Sequence, residues 1–197
     1  MQGIVSIFMP ALIGIIADRF VPAQKALGAC HALAGIFMIA AGMYAMNAGE
    51  NVQFGILFTL YSLSVAFFMP TIALANSVAF TILGRAGKDT VKDFPPIRVF
   101  GTIGFICSML FVNFVRNGDG IQFQLTYNQF LTSGIISILL AIYALTLPNC
   151  PVKAKVDGQS FKEASGLKAF TLFKDRQMAI FFIFSMFLGV ALQITNG

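Results

Sequence analysis

Arg98, Thr102 and Phe105 fall at i, i+4 and i+7 in the stretch Asp93-Phe-Pro-Pro-Ile-Arg98-Val-Phe-Gly-Thr102-Ile-Gly-Phe105. On a helix, that spacing puts a cation, a hydroxyl and an aromatic ring on one face. An arginine inside a membrane span costs about 2.5–3.5 kcal/mol at mid-bilayer and is retained where it faces a water-filled path. Either Arg98, one turn into its helix, snorkels to the surface, or the three residues wall a polar cavity. The shared face with Thr102 and Phe105 favours the wall. Gln193 and Asn196 place two amides at i and i+3 on an otherwise apolar helix. Amides donate and accept at once, so they serve either ligand binding or hydrogen bonds between helices. Asn76 and Ser77, past Pro70, pose the same choice with a weaker claim.

Other groups read as structural. His31 is expected to be a packed or interfacial histidine. Cys30, Cys107 and Cys150 lie in or beside apolar runs, too far apart for a disulfide framework or a metal site, and read as buried small residues. No nucleophile with a base, no metal cluster, no G-x-S-x-G and no cofactor-binding pattern is found, which argues against an enzyme.

These residues must be held by membrane helices. Of 197 residues, 57% are hydrophobic and 11% charged, and the mean hydropathy is +0.82. No water-soluble domain of this size needs that balance to fill one core. Six apolar segments stand out, at 1–17, 26–46, 52–83, 95–115, 130–147 and 178–196, each near the ~20 residues that cross a bilayer. The third is longer and must tilt, bend or project, with Pro70 as the place for a bend. Asp93 reads as the cap of the fourth, with Pro95 and Pro96 in its first turn.

The net charge is +5, but the basic residues never interleave with aromatics on one polar surface, so nucleic acid is not an expected partner. Topology accounts for them. Arg19, Lys25, Arg85, Lys88, Lys92, Lys153, Lys155, Lys162, Lys168, Lys174 and Arg176 make eleven of the thirteen Lys and Arg, and all lie in alternate loops. The positive-inside rule therefore puts loops 18–25, 84–94 and 149–176 in the cytoplasm, with the first segment running inward. One helix is expected before Met1. The long loop carries Ser160-Phe-Lys-Glu163, a capping box, followed by Ala164, Leu167 and Phe170, the pattern of a short amphipathic helix on the inner membrane surface. The expected organisation is 1–148 as spans of an N-terminal half, 149–176 as a cytoplasmic tether and 177–197 as the first helix of a second half.

Gly14-x-x-x-Asp18-Arg19 closes the first segment and reads either as a charged helix end at the interface or as a gate. It resembles half of the signature between the second and third helices of the major facilitator superfamily. The trailing Gly-Arg-Arg is replaced by Phe20, Val21, Pro22 and Ala23. Taken with Phe8-Met-Pro-Ala-Leu-Ile-Gly14 and MAIFFIFSMFLGVALQITN over 178–196, the stretch from Asp93 to Phe105 resembles the nucleoside:proton symporter family of that superfamily. The resemblance implies an all-α membrane protein with six of twelve transmembrane helices present, from the second to the seventh. It implies an inner-membrane carrier importing purine or pyrimidine nucleosides with a proton, with Arg98, Thr102, Phe105, Gln193 and Asn196 lining the substrate site and Gly14, Asp18 and Arg19 at a cytoplasmic gate. None of the eight acidic residues lies well inside a span, so the proton-carrying carboxylates are expected from the C-terminal half, without which the chain should not transport. Two other readings stay open: a carrier for another polar solute such as a sugar, and a non-transporting half-transporter subunit.

Overall fold

A computed structural model describes residues 2–116, 118, 120–151 and 174–196. They form six α-helices: α1 (Gln2–Arg19), α2 (Ala23–Ala48), α3 (Phe54–Arg85), α4 (Thr90–Phe114), α5 (Asn128–Thr146) and α6 (Arg176–Asn196). Four of them, α2 to α5, are long and apolar enough to cross a membrane. The apolar parts of the other two whose side chains are described are Phe8–Ala17 and Arg176–Phe187. The amphipathic helix expected over 160–170 lies outside the described residues. Met1–Lys153 and Ala154–Gly197 are two separate units.

In the first unit α2 is the central helix, packed along α5 on one side and α3 on the other, while α1 packs on α3. Its composition explains this position. Gly28, Gly35 and Gly42 recur every seven residues on one face of α2 and meet α5. A Cβ at Gly35 would lie 2.9 Å from the carbonyl oxygen of Gly134, and one at Gly134 would lie 2.6 Å from Ile39 Cγ1. The two backbones approach so closely because neither helix carries a side chain there, as membrane helices do when lipid offers no hydrophobic drive to bring them together. Ser137, on α5, sits in the same seam. Its hydroxyl donates to the His31 carbonyl at 2.9 Å, and His31 Nδ1 lies 3.3 Å from the Ser137 hydroxyl oxygen. The His31 ring meets Phe68 edge-on at 6.1 Å. On the other side of α2, the buried Ser64 hydroxyl donates to the Ala34 carbonyl at 2.8 Å.

A second set of polar contacts ties the end of α5 to the start of α2. Gln24, only 4% exposed, donates through Nε2 to Asn149 Oδ1 at 2.7 Å and accepts from the Cys150 backbone N–H at 2.9 Å. The Arg85 guanidinium, at the end of α3, donates to the Asn149 carbonyl. Around this latch Ala17, Ala26, Leu27, Cys30, Leu74, Val78, Ala144 and Cys150 form one apolar cluster. Burial pushes the Cys150 thiol up, and the Arg85 charge partly offsets it.

Two expectations are corrected, and the place of Pro70 is now seen. Helix α4 begins at Thr90, five residues before the apolar run, because Asp89 caps it; Pro95 and Pro96 therefore lie in the second turn rather than the first. Cys107 is exposed on α4, while Cys30 and Cys150 are buried. Pro70 sits inside one continuous helix of 32 residues, with its side chain fully buried.

Two outcomes test this packing. Gly134→Val should destabilise the detergent-purified protein by about 1–3 kcal/mol, as overpacking does, whereas Gly101→Ala, with nothing within 4 Å of its would-be Cβ, should leave the melting temperature unchanged. Gln24→Ala strands the Cys150 N–H and the Asn149 side chain, at a cost of about 1–3 kcal/mol. In a Cys107→Ser background, wild-type Cys150 should react slowly with maleimide at neutral pH, since a raised thiol pKa leaves little thiolate, and Gln24→Ala should speed that reaction.

Candidate functional site

The candidate site is built on α4, whose start is fixed by two carboxylates. Asp89 Oδ1 accepts from the Val91 N–H at 2.8 Å. Asp93 Oδ2 accepts from the Asp89 N–H at 3.0 Å, while the Asp93 N–H donates to the Asp89 carbonyl at 2.8 Å. The N–H groups of Asp89 and Val91 are thereby satisfied, and both negative charges sit at the positive end of the helix dipole. Pro95 and Pro96 cannot donate to the carbonyls of Val91 and Lys92 four residues earlier, a loss borne at the exposed end of the helix.

Arg98 then stands eight residues past Thr90, more than two turns into the helix and not one as the sequence suggests. At a rise of ~1.5 Å per residue it is about 12 Å from the helix start. Arg98, Thr102 and Phe105 are all exposed, Phe105 at 64%, and no residue of α4 is buried. Among the described residues neither Arg98 nor Thr102 has a hydrogen-bond or ion-pair partner. Gly101 and Gly104 would suit the close approach of another helix, but no described atom lies within 4 Å of a Cβ built at either. The structure thus brings the three predicted α4 residues onto one open face.

Below that face, Phe80 of α3 packs against Phe94 of α4 with ring centroids 4.4 Å apart. Beside this contact lies a hollow of about 590 Å³ lined by Ala73, Asn76, Ser77, Phe80 and Thr81. Asn76 and Ser77, the weakest candidates in the sequence, thus line the hollow. The signal absent from the sequence is the Phe80–Phe94 contact, which joins two phenylalanines in different segments.

The remaining candidates are placed in part. Gly14 is half-buried in the last turns of α1. Asp18 and Arg19 are its final residues, and their side chains lie outside the described ones. Gln193 and Asn196 fall within the last turns of α6, capped at its start by Asp175 Oδ1, which accepts from the Gln177 N–H at 2.9 Å; their side chains also lie outside the described ones. No group of three His, Cys, Asp or Glu that could hold a metal occurs among the described residues.

Comparison with known proteins converges on the same kind of molecule. The family model for the nucleoside H+ symporter matches residues 1–197. The chain is 41% identical over 194 residues to the nucleoside permease NupG of Escherichia coli K12, covering 98% of this chain and 43% of that protein. It is 43% identical over 196 residues to the xanthosine permease of the same organism, covering 99% and 44% respectively. Two crystal structures of the nucleoside transporter NupG, the first of them a mutant, superpose with TM-scores of 0.74 and 0.67 at 40% and 41% identity, each covering 99% of this chain and 45% of the other. The chain therefore spans less than half the length of the curated relatives it matches. It is a helical, multi-pass inner-membrane protein of the major facilitator type, and it belongs to the nucleoside H+ symporter family.

Proposed function

We propose that this chain is part of a carrier that imports nucleosides together with a proton by alternating access, its helices forming much of one half of the transporter. The observation that carries the reading is the face of α4: Arg98 and Thr102 unpaired among the described residues, with Phe105 beside them, well within an apolar helix of 25 residues. An unsatisfied cation and hydroxyl on an apolar helix are costly unless they face water or a ligand. A nucleoside offers what they require: a flat base to stack on Phe105, and carbonyl and hydroxyl oxygens to accept from Arg98 and Thr102. Gln193 and Asn196 add amides from α6, which supply both donors and acceptors. We assign Gly14, Asp18 and Arg19 to the cytoplasmic gate, where the end of α1 enters the loop 18–25. Loops 84–94 and 149–176 lie on the same side, the latter tethering 1–148 to a second half that starts within 177–197. That half supplies the membrane-embedded carboxylates for the proton.

Radiolabelled uridine uptake by the full-length carrier, in cells lacking their own nucleoside carriers, tests the reading. Wild-type uptake should collapse with a protonophore and be competed by adenosine but not by hexoses. Arg98→Ala, Phe105→Ala and Gln193→Ala, at matched membrane expression, should each lower it by about tenfold or more, the scale of losing a charge-assisted hydrogen bond or a stacked ring. Hexose competition without nucleoside uptake would replace the substrate; well-inserted variants with undiminished uptake would remove the site.

A further inference from the structure

The polar side chains of the first unit fall into two groups. Those inside the bundle are satisfied: Gln24 by Asn149 and Cys150, His31 by Ser137, Ser64 by the Ala34 carbonyl and Thr71 by the Phe68 carbonyl. Among the described residues no buried side-chain nitrogen or oxygen lacks a partner. Asn76 differs. It is half-exposed, has no hydrogen-bond partner among the described residues, and lines the hollow beside α3. It also lies away from the packed face of α3, which is made by Thr71, Leu74 and Val78. A carboxamide left unpaired on a membrane helix is expensive, so water, a ligand or a helix outside the described residues completes it.

The Phe80–Phe94 contact fixes what Asn76 faces. Helices α3 and α4 are joined by only four residues, 86–89, and run in opposite directions away from that connection. Their rings touch at 4.4 Å, five residues from the end of α3 and four from the start of α4. Asn76 is four residues before Phe80, and Arg98 four residues after Phe94. Steps of four keep each on the face of its phenylalanine and carry each about 6 Å further into the membrane. Asn76 and Arg98 therefore lie one turn beyond the Phe80–Phe94 contact, on α3 and α4 respectively, and the hollow that Asn76 lines is on the α3 side.

We propose that the substrate site extends onto α3, with Asn76 as a direct nucleoside contact opposite Arg98; this rests on the nucleoside reading of the α4 face. The chemistry of the pair is complementary. Arg98 can only donate hydrogen bonds, so it takes carbonyl and hydroxyl oxygens of the ligand. Asn76 Oδ1 is a strong acceptor for a ligand N–H or O–H, and its NH₂ returns a donor to the neighbouring ligand oxygen. A nucleoside carries such adjacent donor and acceptor groups on the base edge and on the vicinal ribose hydroxyls. Arg98 leaves those donors unmatched on its own side, and Asn76 offers them an acceptor.

The test is uridine binding by calorimetry, with transport kinetics, on the purified full-length carrier bearing Asn76→Leu, which preserves side-chain volume, and Asn76→Ala. We expect binding about three- to tenfold weaker, the fold-change of one net hydrogen bond, with KM raised in step and the melting temperature of the ligand-free protein unchanged. Wild-type affinity in Asn76→Leu, where Arg98→Ala loses binding, would overturn the α3 contact and leave the nucleoside site standing. A drop in ligand-free melting temperature in both variants, without an affinity change in the folded fraction, would assign Asn76 to packing and likewise overturn it. Absence of uridine binding by the wild type would remove the underlying nucleoside reading itself.

Discussion

The close approach of α2 and α5 is the constraint on which the rest of the first unit depends. Gly35 and Gly134 leave no room for even a methyl group between the two backbones, so those helices have one crossing that satisfies both. That seam places Ser137 against the carbonyl of His31, and the buried Ser64 bonds α3 to the opposite side of α2. Since apolar side chains gain little from meeting each other instead of lipid, small residues and a few polar bonds must supply the specificity. Gln24 does the same job at the end of the bundle, fixing the exit of α5 by gripping residues 149 and 150.

A bundle held through glycines and satisfied hydrogen bonds leaves its other polar groups free for a different purpose. Arg98, Thr102 and Asn76 are not used to hold the helices of the first unit together, and α4 carries no buried residue at all. The helix is anchored instead by its ends and by the ring contact of Phe80 with Phe94. In this way a helix rich in phenylalanine and glycine keeps a whole face open. In the carrier proposed above, such a face has to be positioned by neighbours without being consumed by them.

The spans are legible in the sequence because an apolar run of ~20 residues is far longer than a soluble core requires and matches the thickness of a bilayer. The Arg98 face is legible because i, i+4, i+7 spacing survives any shift of helix ends. What the sequence hides is either local competition or distant pairing. Proline favours the first turn of a helix, which points to a start just before Pro95. One turn earlier the Asp89 carboxylate accepts from the Val91 N–H and the Asp93 carboxylate from the Asp89 N–H, and that capping outweighs the proline preference. Cys107 resembles the buried cysteines in its apolar surroundings but sits on the open helix. The Gln24–Asn149 bond joins residues 125 positions apart, and nothing in either segment announces its partner. The heptad of Gly28, Gly35 and Gly42 is visible as residues, yet its meaning requires knowing that Gly134 comes opposite.

The distribution of charge sets a limit on how coupling can work in the proposed carrier. Asp89 and Asp93 are committed to the start of α4, and Asp175 caps α6; the remaining acids occupy loops or helix ends in the sequence. A carboxylate that carries a proton across has to stand within the membrane, where both sides can reach it in turn, and a helix cap stands at the edge. In the proposed carrier the α4 face is therefore a binding surface and not a proton relay, and coupling requires that a carboxylate elsewhere change the balance between inward- and outward-facing states.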